Sequence, residues 1–127
     1  MALTLNSPVY VADWLKYESP SYHSRDTATI ASGSGVLVSG TVLAKVTATG
    51  KYVPAAATGA DGSQTAVACL ITPVDATGAD VKAVILTRHA DVSHAGITYG
   101  PTITDATKRA AVQTQLAAVG IVTREGA

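Results

Sequence analysis

Short apolar runs separated by glycine and proline make up most of the chain after about residue 27. Residues 36–38 predict a first short strand, and residues 41–47 predict a stronger one. The turn residues at 48–51 contain a glycine and lead into Tyr52 and Val53, which predicts a β-hairpin that Pro54 ends, because proline cannot continue the ladder of hydrogen bonds. This spacing is typical of a mainly β domain.

The two longest apolar runs, at residues 64–72 and 81–87, predict two longer strands. The residues between them, 73–80, are rich in Pro, Asp, Gly and Thr, which are turn-forming types. We therefore expect the two runs to pair as an antiparallel hairpin at the centre of the sheet, with 73–80 forming the turn.

Residues 105–119 break the β pattern because they contain no glycine or proline and are rich in Ala, Gln, Lys and Arg. Their apolar positions are spaced four and three residues apart, as in an amphipathic helix: Val112, Leu116 and Val119. Thr104 or Asp105 can cap the start of this helix, and Gly120 is suited to its end. Residues 121–124 predict a final short strand.

Residues 1 to about 26 differ from the rest of the chain. They contain four of the six aromatic residues and two prolines, Pro8 and Pro20, but no glycine. A long helix cannot form between the prolines, and residues 9–14 alternate as in an extended segment. We predict an extended N-terminal arm at 1–26 and a compact body at 27–127.

The composition fits a single domain with a core of small side chains. The chain has 127 residues, 47% of them hydrophobic, but Phe is absent and the aromatic fraction is 5%. A chain of this length can bury one core, and Ala and Val each bury less area than Leu or Phe. The expected fold is mainly β, a small β-barrel or sandwich with one C-terminal helix, and such a body would gain stability from association.

The charge balance argues against several partners. Nine basic residues are balanced by nine acidic ones, so nucleic acid is not an expected partner. No apolar stretch approaches the ~20 residues of a membrane span, and the N-terminus lacks a basic region, so we expect a soluble product of the cytosol and no membrane partner. Cys69, the single cysteine, lies in an apolar run and is expected to be a buried thiol.

The sequence contains only weak patterns for a catalytic or metal-binding site. His89, Asp91 and His94 are the only constellation that can be tested as a metal site, but no further ligand or supporting shell is evident nearby. No serine lies in a nucleophile-elbow pattern, and residues 33–35 are a small-residue turn. We expect no enzyme activity, no cofactor and no metal.

Several segments, in this order and spacing, resemble the head decoration protein family of lambda-like phages. They are residues 40–54, 61–70 and 80–92, together with 23–30 and the Ala-rich helix followed by 116–124. The resemblance covers about residues 27 to 124. It implies a β-tulip-like body that forms homotrimers at three-fold and quasi-three-fold positions on the outside of the expanded head, where it stabilises the virion capsid against internal DNA pressure.

The same resemblance implies that the N-terminal segment reaches the major capsid protein. The capsid-contact residues are chosen on physical grounds, since large apolar side chains are efficient anchors: Val9, Tyr10, Val11, Trp14, Leu15, Tyr17 and Tyr22. The alternative is a carbohydrate-binding or adhesion module displayed on the virion, because short strands and exposed aromatics also describe such modules.

Overall fold

Five strands of this protein form a closed β-barrel. The computed structural model describes residues 14–18, 25–93, 96–100 and 102–124. Within these residues the chain forms ten strands and one helix, α1, in the following order. The elements are β1 Leu15–Glu18, β2 Arg25–Ile30, β3 Gly35–Leu37, β4 Val42–Lys45, β5 Tyr52–Pro54, β6 Ala66–Leu70, β7 Val74–Ala76, β8 Val81–Leu86, β9 Ala90–Ser93, α1 Ala106–Ala118 and β10 Ile121–Arg124.

The strands form three sheets. The barrel has the order β2-β5-β4-β6-β8, a second sheet has the order β1-β9-β10, and β3 pairs with β7 alone. Most neighbours are antiparallel, but β10 runs parallel to β9 and β2 runs parallel to β5. The mainly β fold with one C-terminal helix, as predicted, is confirmed.

The predicted hairpin of residues 41–53 is present as β4 and β5, which pair antiparallel, and β5 ends at Pro54. The two long apolar runs also pair antiparallel, as β6 and β8. Two details of that second prediction were wrong. Residues 73–80 are not all turn, because they contain β7, which pairs with β3. In addition, a closed barrel has no central strand, and β6 lies between β4 and β8.

The barrel strands β4 and β6 are buried on both faces because two separate apolar clusters lie against them. Leu43 packs in one cluster with Ile30 and Ile85, while its chain neighbours Val42 and Ala44 pack in the other. Successive side chains of a strand point to opposite faces, so alternate residues supply alternate cores. The second cluster is completed by α1 and by the sheet β1-β9-β10.

The helix has the predicted limits and caps. The Asp105 carboxylate accepts a hydrogen bond from the Lys108 backbone N–H at 2.8 Å, which marks Asp105 as the N-cap. Gly120 follows the helix with φ +87°, a left-handed conformation that favours glycine. Val112 and Leu116 are buried against the barrel.

Besides β7, three further strands were not predicted: β1, β2 and β9. β2 and β8 pair over their whole length. β2 has the sequence Arg-Asp-Thr-Ala-Thr-Ile, and its first two residues are charged, so the apolar pattern that predicts a strand is missing there. β1 and the first residues of β2 lie on the arm side of the predicted boundary at residue 26, although both pair with strands of the body. The body of the described structure thus begins at Trp14.

Candidate functional site

Trp14 anchors the N-terminal segment in the body. Its side chain has no exposed surface, and its indole Nε1 donates a hydrogen bond to the Ser39 hydroxyl at 2.9 Å. The indole lies directly over Gly40, where an added Cβ would stand 2.8 Å from Cδ1 of Trp14. The structure therefore places Trp14 in the chain's own core, whereas the sequence pattern had suggested a surface anchor. The reason is a pocket formed by residues 25 positions away in the chain.

β1 continues this attachment as an edge strand. It pairs antiparallel with β9, with Leu15 opposite Val92, and Leu15 is half-buried against the core. At its other end, Glu18 accepts two hydrogen bonds from the Arg25 guanidinium, at 2.9 and 2.5 Å. Of the predicted contact residues in β1, only Tyr17 is exposed, with 59% of its surface accessible.

The remaining predicted arm contacts lie outside the described residues: Val9, Tyr10, Val11 and Tyr22. Their role in capsid contact stays a prediction. The described part of the arm thus divides into a buried anchor and one exposed aromatic residue.

The exposed face of the sheet β1-β9-β10 carries Tyr17 beside a second apolar residue. Tyr17 and Val122 both lie opposite Asp91 in the register, one on each side of β9, so the three side chains share a face. Val122 is 42% exposed, and the Arg124 guanidinium bonds Asp91 at 2.9 Å. We call this surface, defined by Tyr17, Asp91, Val122 and Arg124, the arm-side face.

A separate open groove of about 620 Å³ lies between β3 and the segment that follows β9. The residues that line this groove include Val36, Val38, Val53, Pro54 and Tyr99. No charged residue lines it. Val36 is the most exposed large hydrophobic residue among those described, at 74%. We call this feature the uncharged groove.

The constellation of His89, Asp91 and His94, which was not expected to bind a metal, lies only partly within the described residues. Asp91 is engaged by Arg124, and His94 lies outside the described residues. Among the described positions, no group of three or more His, Cys, Asp and Glu side chains is placed to hold a metal ion. His89 adopts φ 54°, at the turn that precedes β9.

Cys69 is fully buried in β6, as expected from its apolar neighbours. Burial away from water raises the pKa of its thiol to about 12, because the thiolate is poorly solvated there. A thiol in this state is a packing residue and not a nucleophile at neutral pH.

Comparison with known families decides the class of protein. A protein-family model described as bacteriophage lambda head decoration protein D matches residues 4–121. The chain belongs to this family. Membership in the head decoration family supports a role in decorating the phage capsid and a location on the capsid of the virion. The family is a structural one and is not known for enzyme activity.

No curated protein matches the chain in a direct sequence search. In the described parts of this head decoration protein, α1 has 13 residues, and no helix is long and apolar enough to cross a membrane. The family match ends at Ile121, the first residue of β10, so it includes the residues that line the uncharged groove and Tyr17 and Asp91 of the arm-side face, but not Val122 and Arg124.

Sequence reasoning missed the uncharged groove and the burial of Trp14. One signal was available for the groove: the chain has no charged side chain between Asp26 and Lys45, its longest such stretch. For Trp14 the neighbouring pattern carried no such signal, because its partners Ser39 and Gly40 are distant in sequence and are ordinary turn residues.

Proposed function

We propose that this protein binds as a homotrimer to three-fold and quasi-three-fold sites on the outside of the expanded phage head and stabilises the shell against internal DNA pressure. The observation that carries the proposal is the head decoration family match over residues 4–121. The major capsid protein is the proposed partner. The balanced charge of the chain, nine basic and nine acidic residues, supports a protein surface over nucleic acid as that partner.

The N-terminal segment is the proposed capsid clamp. Its root is held by Trp14 and by the pairing of β1 with β9, so residues 1–13 start from a fixed point on the body. The apolar residues Val9, Tyr10 and Val11 can add a strand to an exposed edge of a capsid sheet. Tyr17 stands exposed on the arm-side face close to that root and extends the same contact surface.

Three arms on one trimer account for firm binding without strong individual contacts. Once one arm has bound, the other two are held near their sites at high effective concentration. The combined affinity of a trimer can therefore exceed that of a single arm by ~10²–10⁴-fold. This requires the capsid to present three equivalent sites at the correct separation, which is the geometry of a three-fold position.

Stabilisation then follows from linkage. A ligand that binds only the assembled, expanded lattice adds its binding free energy to the stability of that lattice. Subunits of the shell cannot separate at a decorated three-fold site until the trimer has been released. No catalytic step is needed for this function.

The direct test is a binding assay on undecorated heads. Purified protein is mixed with expanded and unexpanded heads, and the bound copies per head are counted by quantitative electrophoresis and located by electron cryomicroscopy. We expect saturable binding in threes to expanded heads, and expanded heads that withstand higher temperature once decorated. Equal binding to both kinds of head, or single copies away from the three-fold positions, would contradict the proposal, as would specific binding of a soluble glycan by the body.

A further inference from the structure

We propose that Ser39 and Gly40 form a socket for Trp14 that fixes where the capsid-binding arm begins, and that they are positioning residues in capsid binding although they do not touch the capsid. This inference rests on the proposed function, because it takes residues 1–13 as the arm and the trimer as the bound form. It adds that the socket sets the length of the arm, and that this length sets the strength of binding.

The socket is tied to the barrel by hydrogen bonds. The Gly40 N–H donates to the Leu70 carbonyl at 2.7 Å, and the Gly40 carbonyl accepts a bond from the Thr98 N–H at 2.8 Å. Ser39 is buried beside it, and its hydroxyl accepts the indole N–H of Trp14. The indole is therefore held at a defined place on the body.

Gly40 admits the indole because it has no side chain. An added Cβ would stand 2.8 Å from Cδ1 and 3.0 Å from both Cγ and Nε1 of Trp14, whereas carbon atoms in contact pack at about 3.5–4.0 Å. At Gly33, which has a similar φ of +86°, an added Cβ would meet nothing within 4 Å. Alanine substitution of these two glycines therefore separates the contact with Trp14 from the strain of a positive φ.

The other attachments of β1 are weaker than the socket. Among the described strands, β1 pairs with β9 alone, and its register is irregular between Leu15 and Tyr17. Leu15 is only half-buried, and the ion pair of Glu18 with Arg25 is partly exposed to solvent. A short edge pairing and a solvated ion pair each contribute little by themselves. Trp14, whose side chain has no exposed surface, is thus the main attachment of β1.

Loss of the socket would lengthen the arm. The arm then extends from residues 1–13 to residues 1–24, because the next residue that is paired in the described barrel is Arg25. The effective concentration of a group on a flexible tether falls roughly as the −3/2 power of the tether length, which is about 2.5-fold for this change. In a trimer two of the three arms bind as tethered groups, so the whole trimer should bind about sixfold more weakly.

Tryptic cleavage after Lys16 reports whether β1 is attached. Lys16 is the only lysine or arginine before Arg25, so a cut there releases a defined fragment of residues 1–16. We expect Gly40→Ala to be cut after Lys16 about fivefold faster or more than Gly33→Ala, because the added Cβ displaces the indole and a protease reaches a paired strand only when it opens. Circular dichroism establishes that both variants are folded.

Binding to expanded heads measures the consequence for the arm. Gly40→Ala should need about sixfold more protein for half-saturation than Gly33→Ala, at a temperature where both are folded. An insertion of eleven Gly and Ser residues between Asp13 and Trp14 lengthens the arm by the same amount and keeps the socket. This insertion should weaken binding as much, while Lys16 stays as protected as in the unmodified protein.

Ser39→Ala repeats the test with Gly40 in place, and it serves alone if Gly40→Ala does not fold. It removes the acceptor of the buried indole N–H. Its matched control is Gln115→Ala, which loses a hydrogen bond of 2.8 Å between α1 and β6. A purely structural role would affect the two variants alike. We expect only Ser39→Ala to be cut faster after Lys16 and to bind expanded heads more weakly.

The two proposals fail in different ways. If the unmodified protein does not decorate expanded heads in threes, the proposed function fails. If it does so, the socket inference is overturned by any one of three results. These are a socket variant that is folded but cut after Lys16 no faster than its control, a socket variant that binds as tightly as its control, and an insertion that leaves binding unchanged.

Discussion

The indole Nε1 of Trp14 and the hydroxyl of Ser39 are joined by a buried hydrogen bond of 2.9 Å. This bond, with the close contact of the indole on Gly40, makes Trp14 part of the body, so the arm that we propose is confined to residues 1–13. The distinction changes how the arm should be removed in an experiment. A deletion that includes Trp14 tests stability as well as binding.

Deleting residues 1–13 should leave the body as stable as the full chain and should abolish binding to expanded heads. Deleting residues 1–20 should also destabilise the body, by about 3–5 kcal/mol, because it removes a buried Trp side chain and all of β1. Urea unfolding of both truncations checks the stability, and the copy count on heads checks the binding. If the shorter deletion still decorated heads tightly, the binding surface would have to be sought on the body.

Gly40→Ala should be much more destabilising than Gly33→Ala. Both glycines have positive φ, +92° and +86°, so each substitution costs about 1–2 kcal/mol of backbone strain. Only at Gly40 does the added Cβ also meet Trp14, which should cost a further ~1–3 kcal/mol. The free energy of unfolding measured in urea compares the two, and equal losses would show that the indole moves aside.

Gln115→Ala should destabilise the contact between α1 and the barrel by about 1–3 kcal/mol. The Gln115 side-chain carbonyl accepts the backbone N–H of Ala66 at 2.8 Å, and Ala66 is fully buried at the start of β6. Removing the acceptor leaves that N–H unpaired. Gln113→Ala is the control two residues away, because its amide donates a long bond of 3.4 Å to the Tyr99 hydroxyl and not a short bond to the barrel backbone such as that of Gln115. Chemical denaturation should rank Gln115→Ala clearly below Gln113→Ala in stability.

Asp80 should make stability fall at acidic pH. Two hydrogen bonds lower the pKa of this carboxyl in the folded state: the larger effect comes from the Lys51 ammonium and the smaller from the Ser32 backbone N–H. Its contribution is therefore complete above the unfolded pKa of about 4 and is lost as the pH falls through the lower folded value. Asp80→Asn should be less stable than the unmodified protein at pH 7, and the difference should shrink by pH 2. A difference that stays constant between these pH values would exclude this role.

The sequence alone was sufficient to predict the elements that depend on local rules. The helix of residues 106–118 is recognisable because its apolar spacing, its Asp105 cap and its Gly120 terminator all lie within one short segment. The β4-β5 hairpin is equally local, since a glycine-containing turn joins adjacent apolar runs. The order and spacing of these segments also carried the family resemblance that the family match confirms.

The tertiary structure decided which strands close the barrel and what the N-terminal segment contacts. β2 is a strand because it pairs with β8, and β9 is a strand because it pairs with β10. Such pairing depends on residues far apart in the chain. The sequence around Trp14 does not show whether its side chain is exposed or buried. The side chain belongs to the core because it packs in a pocket over Gly40. Likewise, the absence of charged residues before Lys45 can be read from the sequence. The position of Val36, exposed beside a groove, cannot, because exposure depends on how the chain folds and not on the residue type.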